Sequence, residues 1–518
     1  MKNEVEKLID EATETAKTAF EDREFYRAEA LLQQIRNVGG NTPDTDHLLA
    51  LSLHRQGKNQ QAKKVLRPLA EEYKNWEYCN TLGVVHSVLR ESESAIKKFR
   101  QACELNPQAV MAVNNLALEY QTIGKYDKAK HFFAQAVAMI DERDREQWAK
   151  IAFNIGNVYL DERQPEEAAK FFEDSKEKDP TWTPARWNLA AAYLMSKQYE
   201  KGWVEYESRF EQFPNFYRVK ERLIERPAWE GEPLGGKTIL LYAEQGAGDT
   251  IQFIRFTKHL KERGATVYLE WVNRYERGDL RTILERIEWI DRLINPEEEE
   301  LYEDYDFDYH QSLASLPRVL QVNDESQFWY GPYIEPDTEF APELQDHYWK
   351  PYEGKKKIGI VWAGSPSHHN DPKRSFPVTR FKPFVSNDVQ LFSLQKDTRV
   401  RTWPGIGRVN LAEGMEDMPI VDLSPMMLDY NSTANLINKM DVIISVDTAV
   451  AHLAGAMGKE VYLMLPKVPD WRWGLGDRTA WYPTTKPFRE DANDHFKRAA
   501  NSVLCGACNL GAGNLDKP

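Results

Sequence analysis

Two patterns of apolar and polar positions divide the chain. Up to about residue 212, apolar residues recur at helical spacing, and small residues mark where two helices must approach closely. After Lys237 the spacing changes. "KTILLYAE" (237–244), "TVYLEW" (266–271), "KIGIVWAG" (357–364), "VQLFSLQ" (389–395), "DVIISV" (441–446) and "EVYLML" (460–465) are short β-branched and apolar runs, predicted as buried strands with helices between them. The first strand, a glycine turn, the amphipathic "TIQFIRFTKHLKERGA" and the second strand make a βαβ unit, so a parallel sheet is predicted.

The helical part repeats itself. The clearest unit starts at Val110, with Leu116, Ala117, Tyr120, Gly124, Ala129, Phe133 and Ala136. Leu82, Gly83, His86, Ala95, Phe99 and Ala102 stand at matching offsets before it. Ile155, Gly156, Tyr159, Ala168 and Phe172 follow, and then Leu189, Ala190, Tyr193, Gly202 and Tyr206. Weaker copies centre on Ala28 and Ala62, and an insertion at 140–146 lengthens one interval. The period is close to the roughly 34 residues of tetratricopeptide repeats, which this region resembles over residues 9–212. No such unit can bury its apolar face alone, so the resemblance implies a stacked superhelix. It also implies a concave surface for a protein or peptide. A rigid spacer and an arm for homodimerisation are the other readings of the same pattern.

The expected organisation is a repeat array (1–212), a proline- and glycine-containing linker (213–236), a first Rossmann-like domain for an acceptor (237–345), a second for a donor (356–485), and a C-terminal helix and tail (486–518). The acidic run within 296–305 reads as a solvated loop.

Composition narrows the function. A hydrophobic share of 42% with 29% charged residues is that of a folded globular protein. The net charge of −14 argues against nucleic acid or an anionic membrane as the main partner. No apolar run reaches the length of a membrane span, and the charged N-terminus lacks a signal-peptide core. Four cysteines give no disulfide framework, and Cys505 and Cys508 read as ordinary tail cysteines. A cytoplasmic location is expected.

Candidate chemistry gathers at the predicted carboxyl ends of strands, where open α/β sheets bind ligands. In "GAGDTIQF" (246–253), Gly246 and Gly248 allow a tight turn and Asp249 opens a helix, able to cap it or to take a proton from a hydroxyl. In "SVDTAVAHLAGAMG", Asp447 or Thr448 caps a helix whose free N–H groups favour an anion, and His452 shares a face with Thr448. "WAGSPSHHNDPKRSFP" (362–377) follows a strand; its glycine, serines and prolines rule out a helix, Gly364 is a substrate-binding candidate, and Lys373 and Arg374 bring positive charge suited to phosphate. Gln395 and Lys396 end another strand. Gln252 and His310 are placed on the acceptor side. Trp471, Trp473 and Trp481 either stack on a base or sugar or cover the core.

Together "GDTIQF", "SLQK" and "SVDTAVAHLAGAMGKEV" are similar to the motifs of the lipopolysaccharide heptosyltransferase family, which has the two-domain GT-B fold. The resemblance implies an ADP-activated heptose donor, inversion, no metal and no cofactor beyond the nucleotide-sugar. It implies Asp249 as general base, with Gly248 beside it. Asp447, Thr448 and His452 match the donor motif, Ala449 stands where the family has glycine, and Lys373 or Arg374 matches its basic loop residue. The order of repeats before a GT-B half also resembles O-GlcNAc transferase and bacterial tetratricopeptide–glycosyltransferase fusions. The expected function is therefore a metal-independent, inverting transfer of a hexosyl or heptosyl group from a nucleotide-sugar to a hydroxyl, on a protein or glycan presented by the repeats. A repeat scaffold with a non-catalytic nucleotide- or glycan-binding module is the alternative.

Overall fold

A computed structural model describes residues 2–141 (for 2–5 the backbone alone), 143–213, 215, 226–271, 279–295, 306–337, 340, 342–366, 368, 370–396, 400–403, 407–491 and 494–504. Cys505, Cys508, the acidic run at 296–305 and much of the expected linker lie outside these residues. The chain forms two compact units, Met1–Thr181 and Trp182–Pro518. Among the described residues no helix is long and apolar enough to cross a membrane.

The first unit is a stack of antiparallel helix pairs, from Lys2–Glu21 with Phe25–Asn37 to Arg145–Asp161 with Pro165–Lys178. The small and large positions act as the sequence pattern requires. A Cβ on Gly83 would lie 2.5 Å from the Phe99 ring, and one on Gly156 equally close to Phe172. Ala129, Phe133 and Ala136 are wholly buried. The turn within each pair needs one residue at positive φ, and Arg23, Gly57, Arg90, Gly124 and Arg163 supply it in register. Only two of these are glycine, which is why glycine alone marks the repeats unevenly.

The second unit opens with one more helix pair, Thr183–Met195 and Tyr199–Tyr206, and a short helix, Arg209–Gln212. Two parallel sheets follow. The first has strands β1 (Thr238–Tyr242), β2 (Thr266–Glu270), β3 (Arg292–Ile294) and β4 (Tyr309–Ser312) in the order β3-β2-β1-β4. The second has β5 (Lys356–Val361), β6 (Val389–Ser393), β9 (Ile420–Asp422), β10 (Val442–Val446), β11 (Val461–Leu465) and β12 (Thr485–Arg489) in the order β12-β11-β10-β5-β6-β9. Between β6 and β9, β7 (Val400–Trp403) and β8 (Gly407–Asn410) form a separate antiparallel hairpin. Residues of β6, β10 and β11 are buried throughout, as expected of strands covered on both faces.

Chain order reverses between β1 and β4 in the first sheet and between β5 and β10 in the second, and such switch points open a crevice at the carboxyl ends. The first crevice is filled by the chain itself. Arg209, with no exposed surface, donates from Nε to Glu244 (2.8 Å), from Nη1 to Glu207 (2.6 Å), and from Nη2 to Ser315 Oγ (2.7 Å) and Ser312 Oγ (3.1 Å). Burial opposes ionisation of Glu207, but Arg209 brings its pKa below the ordinary carboxylate value.

Three expectations need correction. The described end of the expected linker is packed structure: Trp229 is fully buried and its N–H bonds the carbonyl of His310. The loop after β5 contains one helical turn, Asp371–Arg374, with Pro372 near its start where the missing N–H costs nothing. Strand β12 crosses the expected boundary at 485, and the C-terminal helix is His495–Leu504.

Candidate functional site

The helix Ala247–Phe253 follows β1, and its start is held by a side-chain bond in which Asp249 Oδ2 accepts the Gly246 N–H at 3.0 Å. The helix Ala449–Ala456 follows β10. The two pack directly on each other. A Cβ on Gly248 would stand 2.9 Å from the His452 ring and 3.5 Å from Ala449 Cα, so glycine is needed there for close approach of the two halves. Arg255, 1% exposed, pins the same junction: its Nη1 donates to the carbonyls of Phe328 (2.5 Å) and Trp481 (2.6 Å), from either half.

The second switch point holds the expected basic residue and separates the two candidates. Lys373 is exposed. Arg374 turns inward, donates from Nη1 to the Asp447 carbonyl at 3.1 Å, and lies over Gly364, where a Cβ would meet its guanidinium at 2.7 Å. Its Nε has no hydrogen-bond partner among the described residues. Buried Asp371 sets this loop, accepting from Ser375 Oγ (2.6 Å), Arg401 Nε (3.1 Å) and Trp403 Nε1 (2.9 Å). The β7–β8 hairpin thus braces the turn that carries Arg374.

Thr448 stands at the cap position of its helix without making a side-chain cap bond; its hydroxyl lies 3.1 Å from Ser445 Oγ. The cap that the sequence allowed for Thr448 is therefore not made by its side chain. Burial raises the Asp447 pKa, Asp470 adds to the effect and Arg374 opposes it. His452 is buried, with Nδ1 3.0 Å from the Tyr482 hydroxyl and its ring against Trp473. Burial first, then Arg472, Arg255 and Arg374, hold its pKa well below the ordinary value, so the imidazole is neutral.

Several other expected site residues serve the protein itself. Gln395 Oε1 accepts the N–H groups of Trp362 (3.0 Å) and Ala363 (2.9 Å), fixing the loop after β5. Lys396 donates to the Leu428 carbonyl at 3.0 Å. His310 sits inside β4, 3% exposed, with Nε2 3.0 Å from the Arg226 carbonyl; it is a core histidine and does not line the acceptor side. Gln252 is fully buried and accepts from Arg472 at 2.9 Å. Trp471, Trp473 and Trp481 are buried; Trp471 and Trp481 pack in an aromatic core with Trp203, Phe253 and Phe328, and Trp473 lies on His452, which removes all three as stacking platforms.

Asp249 is half-buried, with 26% of its side-chain surface exposed. Its Oδ1 accepts from Arg472 Nη2 at 2.5 Å. Arg472 was missed because "PDWRWG" draws attention to its tryptophans, and a lone arginine between them belongs to no motif. Tyr206, read only as a repeat residue, places its hydroxyl 3.1 Å from the same guanidinium. Burial raises the Asp249 pKa and Arg472 opposes the rise. Asp249, Gly248, Asp447, Thr448, Arg374 and His452 thus gather at one junction, flanked by Arg472 and Tyr206.

Fold and motifs agree with the comparisons. Residues 405–462 match the model of glycosyltransferase family 9 (heptosyltransferase), a segment that contains Asp447, Thr448 and His452. Residues 112–142 and 149–181 match a tetratricopeptide repeat model. The stack of helix pairs is thus joined to an α/β half in which residues 405–462 are similar to glycosyltransferase family 9. Among relatives, Protein FlbA of Caulobacter vibrioides is 22% identical over 447 residues, which cover 80% of this chain and 69% of FlbA. Protein O-mannosyl-transferase TMTC3 of Homo sapiens is 26% identical over 165 residues, 32% of this chain and 18% of TMTC3. The crystal structure of TTC0263, a tetratricopeptide protein of Thermus thermophilus, covers 36% of this chain and 99% of its own, with 19% identity and a TM-score of 0.32.

Proposed function

We propose that the second unit is a glycosyltransferase that moves a sugar from a nucleotide-sugar to an acceptor hydroxyl. The observation that carries this reading is the meeting, at one junction, of Asp249 from the first sheet with Arg374 and the Ala449–Ala456 helix start from the second. In the proposed reaction the acceptor hydroxyl gives its proton to the Asp249 carboxylate as its oxygen bonds the anomeric carbon. The bond from that carbon to the phosphate oxygen breaks, and its electron pair leaves with the nucleoside diphosphate, with inversion. Arg374 and the helix N–H groups offset the charge on the leaving diphosphate, and no proposed step calls on a metal. Neutral His452 then packs the helix and is no phosphate contact. The repeats are proposed to present a protein or glycan acceptor.

The close packing of Gly248 on His452, with Asp249 already paired, favours a second reading: a scaffold whose α/β half binds a nucleotide or glycan without turnover.

Lys373 and Arg374 give a test of the donor site. A charge-assisted hydrogen bond is worth about 1.5–3 kcal/mol. Arg374→Ala should therefore weaken nucleoside diphosphate binding by roughly 10–100-fold, and monophosphate far less, while Lys373→Ala changes both little. Titration calorimetry with ADP, UDP, GDP and dTDP, and with the corresponding monophosphates, reads this directly. Equal losses for the two ligand classes would remove Arg374 from the distal phosphate.

A further inference from the structure

Arg472 makes more polar contacts at the junction than any single donor motif requires. It comes from the loop after β11, yet most of its partners lie elsewhere. Nη2 reaches Asp249 (2.5 Å), the Tyr206 hydroxyl (3.1 Å) and Gln245 Oε1 (3.3 Å); Nε reaches Gln252 (2.9 Å); only Asp470, at 2.9 Å from Nη1, belongs to its own loop. Its guanidinium lies over the Trp471 ring at 4.4 Å. Among the described residues it is the one cation in ion-pair contact with Asp249.

We propose that Arg472 is the positioning residue for the Asp249 base, fixing the carboxylate at the junction and coupling it to the packing of the two halves. This rests on the glycosyltransferase reading above. Geometry leaves the base usable. A carboxylate has about four lone-pair directions. Gly246 takes one on Oδ2 and Arg472 one on Oδ1, so each oxygen can still accept a proton. Arg472 cannot be the base itself, because a guanidinium does not deprotonate in the working range. Burial works against its charge, but Asp249, Tyr206 and Asp470 hold its pKa well above the ordinary value.

The other groups facing Asp249 make Arg472 necessary. Glu244, just after β1 and paired with Arg209, and Asp470 on the donor-half loop are acids, Tyr206 on the last helix pair is a neutral phenol, His452 against Gly248 is a neutral imidazole, and burial penalises the carboxylate first. Without Arg472, burial and the two acids favour the protonated form, which cannot accept a proton.

The test uses the full chain with Arg472→Gln, Arg472→Lys and Tyr206→Phe. The Asp249 carboxyl is followed by pH titration of ¹³C-carboxyl-labelled aspartate and assigned by its loss in Asp249→Asn. Expected is a titration moved to higher pH in Arg472→Gln, a smaller movement in Arg472→Lys, and the least in Tyr206→Phe. In donor turnover, the acid limb of the pH profile should move the same way. Turnover at pH 7 should fall by about 10²-fold in Arg472→Gln, because a displaced group costs about that much, with partial recovery in Arg472→Lys. Folding of each variant is checked by its unfolding transition, and Tyr206→Phe and Arg472→Lys carry the test if the glutamine variant does not fold. An Asp249 titration unchanged in both Arg472→Lys and Tyr206→Phe, with nucleoside diphosphate affinity lost instead, would overturn the inference and make Arg472 a donor contact. Absence of turnover by the wild-type chain would defeat the glycosyltransferase reading and leave the titration result standing separately.

Discussion

Arg209→Ala should destabilise the second unit by about 3–5 kcal/mol, the usual cost of removing one partner from a buried ion pair. The side chain fills the crevice between β1 and β4 and is wholly enclosed. Truncation leaves the Glu244 carboxylate without its cation, Glu207 with only the more distant Arg318 at 3.8 Å, and Ser312 and Ser315 with one donor fewer. Glu244 is 1% exposed at its side chain, so water cannot make up the loss. Guanidinium unfolding followed by tryptophan fluorescence reports on this unit, because Trp203 and Trp471 are buried within it. Glu244→Gln in the Arg209→Ala background should recover part of the stability, since it removes an unpaired charge. A loss under about 1 kcal/mol, the range of an exposed pair, would show that the crevice is not closed in solution.

Asp249→Asn should lower turnover by roughly 10²–10⁴-fold, the range of a general base. The change is nearly isosteric, and the amide oxygen can still accept the Gly246 N–H, so the helix cap survives. The amide nitrogen then faces Arg472, and the ion pair is lost. Asp470 remains bonded to Arg472, so the guanidinium stays paired. Nucleoside diphosphate affinity should change little, because the proposed anchors Arg374 and the Ala449–Ala456 helix start are untouched. Steady-state release of nucleotide, set beside calorimetric affinity, separates the two effects. Near wild-type turnover in Asp249→Asn would take the residue out of the mechanism.

How much of this could be read from the residues varies with range. Repeat helices are legible because each depends on local small–large spacing, as Gly83 with Phe99 and Gly156 with Phe172 show. The six strands named from the sequence are present, since largely buried parallel strands are written as nearly unbroken apolar runs. Strands β3, β7, β8 and β9 span three or four residues and carry too few positions to show a period. The candidate positions Asp249, Lys373 or Arg374, and Asp447 could be named from the sequence because each follows a legible strand. Their partners were not. Arg209 meets Glu244, and Arg472 meets Asp249, across long stretches of chain and without any spacing rule. Gln395 shows the converse: its place at a strand end suggested a ligand, and only its two bonds to the Trp362 and Ala363 backbone reveal a brace. Lys373 and Arg374 differ by one position, and it took the helical turn Asp371–Arg374 to send one outward and the other onto Gly364.

The most direct measurement is nucleoside diphosphate released per chain, with the 518-residue chain incubated with ADP-, UDP-, GDP- and dTDP-linked sugars in turn. Multiple turnovers above the buffer background are expected with at least one donor, and none of comparable size from Asp249→Asn. Tight binding of a nucleoside diphosphate, with no turnover of any donor even when candidate acceptor proteins and glycans are supplied, would contradict the glycosyltransferase reading and leave a nucleotide-binding scaffold.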